Sequence, residues 1–351
     1  MEFASDNAAG VAPVILEALV RANAGFATAY GDDPFTRRIE RRFSELFERE
    51  VAVFLVSTGT AANALALAHL SPPWGAVLCH AEAHAIAHEC GAPEFFGGGL
   101  RLLGIEGEGG KLQPRAVATT LDRHFGLRPH QLVPAVLSIT QASEFGTIYR
   151  PDEIAALAAL AHDRGMTVHM DGARFANAVA RLGVTPAEAS WRAGVDALSF
   201  GATKGGALAA EAVVFFNPER AATMAERRKR GGHLVSKHRF IAAQFEAFFA
   251  DSQWLRLADH ANCMADRLAA HLASLKLMPT WPVEANIVFV LLPQALHERL
   301  QQAGAHYYVI HTSCTDPAAV PAGYVLVRLV TSFATTESSI DKFISLLKPT
   351  P

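Results

Sequence analysis

The chain has 351 residues, half of them from the apolar set AVILMFWYC and only 19% charged, with a formal net charge of -3. At roughly 100–200 residues per domain this is a two-domain length with ample material for a core, which excludes a disordered chain. The near-neutral balance gives no electrostatic case for nucleic acid or an anionic membrane surface.

The N-terminal stretch MEFASDNAAG has acidic residues and no apolar core, so it does not read as a signal peptide. No apolar run reaches the roughly 18 residues of a membrane span. Four scattered cysteines (Cys79, Cys90, Cys263, Cys314) make neither a disulfide framework nor a CxxC zinc knuckle. They suit a reducing, cytoplasmic compartment, where Cys behaves as a small buried hydrophobe.

Strand-length apolar runs then alternate with helix-period stretches. Val51–Val56 is followed by Ser57-Thr58-Gly59-Thr60 and the helical AANALALAHL, and Ala76–Cys79 follows a Pro-Pro-Trp-Gly turn. Val133–Ile139 precedes an Ala-rich helix opened by Pro151. Thr167–Met170, the helix-like RFANAVARLG, Asp196–Phe200 and Ala212–Phe216 continue the series. Such alternation predicts βαβ units around a mostly parallel sheet. Beyond residue 240 a long amphipathic helix (Trp254–Leu275) and two strand candidates, Asn286–Leu292 and Tyr324–Val330, predict a smaller α+β unit.

Four segments carry candidate chemistry. Small residues in Ser57–Asn63, between a strand and a helix, let backbone N–H groups approach a phosphate at a helix N-terminus; a capped βα turn would look the same. No Lys-Ser or Lys-Thr follows, so this is not a Walker loop, and GEGGK at 107–111 reads as a turn. Lys204, in Gly201-Ala202-Thr203-Lys204-Gly205-Gly206, lies just after a strand; sheltered there, its amine could form a Schiff base, and solvated it would be an ordinary loop lysine. Asp171 and Arg174 follow the strand TVHM, where a carboxylate faces the crevice at the carboxyl edge of a parallel sheet; a structural Asp–Arg pair is the plainer alternative. His80, His84, His88 and Glu89 have metal-like spacing, but no HExxH pattern accompanies them, and one His stacked on a flat cofactor explains the run equally well. A phosphate loop, a sheet-edge Asp and a sheltered Lys on successive crossovers together match pyridoxal phosphate.

On these motifs the chain resembles the low-specificity L-threonine aldolases of the β-eliminating-lyase group, close to the phenylserine aldolases. HMDGAR (169–174) followed by SFGATK (199–204) carries most of the likeness; FASDN (3–7), AYGDDPFT (29–36), STGTAAN (57–63), HAIAHECGAPEFF (84–96) and PVEAN (282–286) extend it over nearly the whole chain. The resemblance implies an aspartate-aminotransferase-like, fold type I architecture: an N-terminal arm (1–12), a large α/β/α domain with a mostly parallel sheet (13–240) and a small α+β domain (241–351).

It further implies that Lys204 carries pyridoxal 5'-phosphate as a Schiff base, Asp171 pairs with the ring nitrogen, Gly59 and Thr60 hold the phosphate, His84 stacks on the ring, Arg174 sits near the ring oxygen, and Thr203 belongs to the cofactor site. Arg174, Arg328 and Ser5 would take the substrate carboxylate. Tyr30 would reach into the neighbouring subunit's site in a dimer or tetramer, and Lys229 would be a basic residue near the substrate site. The implied reaction is retro-aldol cleavage of a β-hydroxy-α-amino acid such as L-threonine, L-allo-threonine or a phenylserine to glycine and an aldehyde, with no metal. The alternatives are β-elimination or racemisation on the same cofactor, or a non-catalytic cofactor-binding protein. Two departures stand out. Glu144 occupies the place of a second active-site His near the substrate, and Gly205 replaces an Asn.

Overall fold

In the computed structural model, which describes residues 1–310 and 320–348, the alternating runs form a seven-stranded sheet. Its strands are β1 (Ala52–Val56), β2 (Gly75–His80), β3 (Arg101–Ile105), β4 (Val133–Thr140), β5 (Thr167–Gly172), β6 (Ala197–Gly201) and β7 (Glu211–Phe215), in the order β1-β7-β6-β5-β4-β2-β3. β7 runs antiparallel to both its neighbours and every other pairing is parallel. All residues of β6 and β7 are buried, as expected for strands covered on both faces by helices.

The expected strands all form. β3 was not expected, and its composition explains why. It is an edge strand with Arg101 and Gly104 exposed, so RLLGI lacks a continuous apolar signature.

The topology fixes where chemistry collects. Parallel strands β4, β5 and β6 end at one edge with Thr140, Gly172 and Gly201. Because β7 is antiparallel, its first residue, Glu211, pairs with the last residues of β1 and β6, Val56 and Gly201, and so lies at that same edge. The helix Gly59–Leu70 begins there too, right after β1. It is apolar nearly all round and correspondingly buried along most of its length.

The second sheet holds β8 (Ile287–Pro293), β9 (Tyr308–Val309) and β10 (Tyr324–Val330), antiparallel in the order β8-β10-β9. Its apolar core, with Leu268, Leu272, Val288, Leu329 and Phe343, is separate from the main one. The chain start belongs to this body: Phe3 is fully buried in it, donates its N–H to His306 O (2.8 Å) and accepts from Val330 N–H (2.8 Å). Residue 240 does not mark a change of core. The helix Arg239–Phe249 buries its aromatic face in the main core, and the long helix Gln253–Ser274 gives Trp254 and Ala258 to the main core but Ala265 and Leu272 to the small one.

No helix among the described residues is long and apolar enough to cross a membrane. Cys79 is buried, Cys90 and Cys263 are exposed and unbridged, and Cys314 lies outside the described residues.

Candidate active site

A cleft of about 450 Å³ opens between the main sheet edge and the small sheet, lined among others by Ser5, His84, Glu144, Arg174, Lys204 and Arg328. A larger hollow of about 1030 Å³ lies off helix Gly59–Leu70, against Leu70, Pro72, Phe96 and Arg230. It contains none of these groups, so the chemistry belongs to the smaller cleft.

At the floor, Asp171, the penultimate residue of β5, has its carboxylate held from two sides. Oδ1 accepts from Ala173 N–H (3.0 Å) and Oδ2 from Asn63 Nδ2 (2.7 Å). The same Asn63 amide donates to Glu89 Oε1 (2.8 Å), and that oxygen also meets His84 Nδ1 at 2.8 Å. A hydrogen-bonded chain therefore runs Asp171–Asn63–Glu89–His84. Its members other than His84 are buried, and among the described residues Asn63 Oδ1 and Glu89 Oε2 have no hydrogen-bond partner.

Asn63 and Glu89 stand in motifs read from the sequence, but their roles were missed. A buried amide inside the otherwise apolar TAANALALA was the available signal. The Glu89 hydrogen bond holds the His84 imidazole above its ordinary pKa, against burial. Burial raises the Glu89 carboxyl in turn, opposed by its bonds to His84 and Asn63. Glu89→Gln is expected to bring the His84 titration midpoint back down toward the ordinary imidazole range, followed by proton NMR of the ring. An unchanged midpoint would show that Glu89 does not control His84.

Two residues behind Asp171 on the same face of β5, His169 is fully buried between Ser138 Oγ and Ser199 Oγ, each 2.9 Å away. Burial pushes it down to about 4, so it is a neutral tie across β4, β5 and β6. The spaced histidines do not converge. His80 is engaged by Gly107 O and Glu82 N–H, whereas His84 and His88 reach the cleft.

The helix Gly59–Leu70 presents its N-terminus at the floor, with Thr58 capping it by accepting from Ala61 N–H (3.1 Å). Gly59 and Thr60 are its first residues, a geometry suited to an anion. Thr203, just before Lys204, gives its N–H to Glu211 Oε1 (3.3 Å), and its Oγ1 accepts from Ala210 N–H (3.2 Å). Gly205 has a steric reason: a Cβ there would lie 2.9 Å from the buried Phe248 ring. Phe248 thus closes off the space that a side chain at 205 would take.

Across the cleft stand two arginines in different states. Arg174 is buried and doubly bonded to Asp6, Nε to Oδ2 (2.8 Å) and Nη2 to Oδ1 (3.0 Å). This is the structural Asp–Arg pair that the sequence left open, but with Asp6 as the acid instead of Asp171. Arg328, on β10, forms no ion pair among the described residues. Burial and the neighbouring Arg174 push its guanidinium below its usual range. A cation in that condition favours a carboxylate partner. Ser5 Oγ, expected beside it, caps the short N-terminal turn by accepting from Asn7 N–H (3.1 Å) and lines the cleft.

Tyr30 and Lys229 are not in this cleft. Tyr30 is exposed, its N–H bonds Ser236 O (2.9 Å), and Lys229 Nζ lies 4.7 Å from its ring centroid. The two meet each other on the surface.

The beta-eliminating lyase family model matches residues 2–295. The low specificity L-threonine aldolase of Pseudomonas aeruginosa is 46% identical over 310 residues, covering 88% of each chain, and that of a Pseudomonas species is 44% identical over the same shares. Among solved structures, the threonine aldolase of Leishmania major superposes with a TM-score of 0.91 at 28% identity, covering 99% of this chain and 98% of that one. A serine palmitoyltransferase of Sphingomonas wittichii, at TM-score 0.71 and 15% identity, shares the fold.

Proposed function

The chain belongs to the beta-eliminating lyase family, and on that premise we propose that it is a pyridoxal-phosphate-dependent aldolase cleaving L-threonine, L-allo-threonine and related β-hydroxy-α-amino acids to glycine and an aldehyde. The observation that carries this reading is the convergence on one sheet edge of a helix N-terminus, a doubly held carboxylate and a lysine, faced across the cleft by an arginine without an ion pair among the described residues.

The residues present suit the cofactor. Gly59, Thr60 and Thr203 would hold the phosphate, Asp171 the ring nitrogen and Lys204 the aldehyde, while His84 would cover the ring. When bound, pyridoxal phosphate supplies an electrophilic carbon for an amine and an electron sink for the bond that breaks.

The chain's residues supply the rest. Asp171 is kept as an acceptor by its two donors, so it can stabilise a protonated ring nitrogen opposite. Arg328, with Ser5 and Arg174 nearby, takes the substrate carboxylate and so fixes which bond to Cα stands ready to break. The β-hydroxyl proton goes to His84. Glu89 occupies Nδ1, leaving Nε2 to accept, and the raised basicity of the ring favours the transfer. Glu144, also lining the cleft, stands where the resemblance expects a second histidine.

Arg328→Gln should raise KM for L-threonine by roughly 10- to 100-fold, the worth of one charge-assisted hydrogen bond, with a smaller effect on kcat. Steady-state kinetics decide it, and an unchanged KM would remove Arg328 from carboxylate binding. The reaction itself is tested by incubating the reconstituted protein with L-threonine, L-allo-threonine and phenylserine. Glycine and aldehyde in equal amounts support cleavage; ammonia with a keto acid indicates β-elimination.

Since Tyr30 and Lys229 stand away from their own chain's cleft, we further propose that they serve the cleft of a second copy in a homo-oligomer. Mixing a Lys204 variant with a Tyr30 variant should then restore part of the activity that each lacks alone.

A further inference from the structure

One ionisable group at the sheet edge has no part in the scheme above. Glu211 is 6% exposed and opens β7 at the edge where β1 and β6 end. Oε1 accepts from Thr203 N–H (3.3 Å). Oε2 is turned toward the start of helix Gly59–Leu70, where a Cβ built on Gly59 would lie 3.9 Å from it, and one built on Gly201 only 3.1 Å. An acid therefore stands against the helix N-terminus and the Thr203 amide, the donors that any anion at this place would use.

Two anions crowded onto one set of donors repel each other, and the conflict disappears if the buried carboxyl holds a proton and donates it. Resting on the reading that this site takes pyridoxal phosphate, we propose that Glu211 in its protonated form is a hydrogen-bond donor to the phosphate, so that cofactor affinity depends on a proton at this side chain.

The surroundings favour the neutral form. Burial pushes the carboxyl up to about 7, with Asp171 on β5 adding to the rise, while Thr203 and Lys204 from the loop after β6 oppose it. The facing turn of helix Gly59–Leu70 brings no charged side chain. A phosphate dianion arriving at that helix end raises the carboxyl further. By linkage, binding takes up a proton once free Glu211 is ionised, so affinity is full below that point and falls as pH rises through it.

The experiment measures equilibrium binding of pyridoxal phosphate and of pyridoxal, which has no phosphate, to the apoprotein at several pH values above 7. The wild type should lose pyridoxal phosphate affinity by roughly tenfold per pH unit in this window, the ideal limit for one linked proton. Glu211→Gln, neutral and isosteric, should bind pyridoxal phosphate with little of that dependence and more tightly than wild type at the alkaline end. Glu211→Asp should keep the dependence, and pyridoxal should separate none of the three proteins. Parallel pH profiles for wild type and Glu211→Gln would overturn the proposal, as would an equal effect on pyridoxal. If no variant and no pH gave any pyridoxal phosphate binding while the fold persisted by circular dichroism, the cofactor reading itself would fail instead.

Discussion

Lys204→Ala is expected to reduce aldol cleavage by about four orders of magnitude or more, because the residue that would form the covalent link to the cofactor has no substitute in the cleft. Of the described residues lining the cleft, Lys204 is the only lysine, and it comes from the loop that joins β6 to β7, directly over the sheet edge. The phosphate and ring contacts proposed for Gly59, Thr60 and Asp171 do not involve it, so the variant should still bind pyridoxal phosphate reversibly.

The expected signature is thus dissociation of function. Turnover and the long-wavelength absorbance of the protein-bound Schiff base disappear together, while the cofactor remains dialysable and measurable by equilibrium binding. Lys204→Arg keeps the charge but not the nucleophilic amine, and it should be as inactive as the alanine variant. Should either protein cleave L-threonine at the wild-type rate, the assignment of Lys204 would be wrong.

The sequence made the scaffold legible because its periodicities are strong. Continuous apolar runs such as DALSF and AVVFF announce buried strands, and the small residues after DALSF mark a strand end that a ligand can approach. The motif residues Asp171, Lys204, Gly59 and His84 could be placed from those ends. What stayed hidden depends on contacts between segments far apart in the chain. Nothing in FASDN states that Asp6 will meet Arg174, 168 positions away, so the partner of that arginine could not be named from the sequence. Asn63 and Glu89 joined Asp171 and His84 only when a helix and a loop were brought to the same edge. Glu211 was hidden by topology. It opens a strand that reads as ordinary core, and only the antiparallel setting of β7 brings its first residue to the active edge. Gly205 became intelligible through Phe248, 43 positions on, where the space for a side chain is already filled.

The Asp6–Arg174 pair leads to the second large expectation, on stability. Both side chains are nearly inaccessible (1% and 4%), and Asp6 Oδ2 also accepts from Asn286 Nδ2 (3.1 Å), so the chain start, the small sheet and the start of helix Phe175–Leu182 are joined at one point. Removing one partner leaves a buried charge without compensation. Asp6→Ala should cost about 3–5 kcal/mol in urea unfolding at pH 7. Burial alone would raise the Asp6 carboxyl, but Arg174, Lys204 and Asn286 together bring it below its ordinary value. A carboxyl depressed in the folded state adds stability above its unfolded pKa and loses it as pH falls through the folded one. The gap between wild type and Asp6→Ala should therefore be full at pH 7 and begin to narrow below about pH 4. A gap that stayed constant down to the acid limit would mean that the cost comes from lost packing and not from the ion pair. The double variant Asp6→Leu with Arg174→Met, which removes both charges and leaves apolar volume, should recover much of the stability. It should not recover cleavage, because the carboxylate site would still lack Arg174. Stability restored without activity would separate the two duties of this arginine: anchoring the N-terminal segment, and adding positive charge beside Arg328.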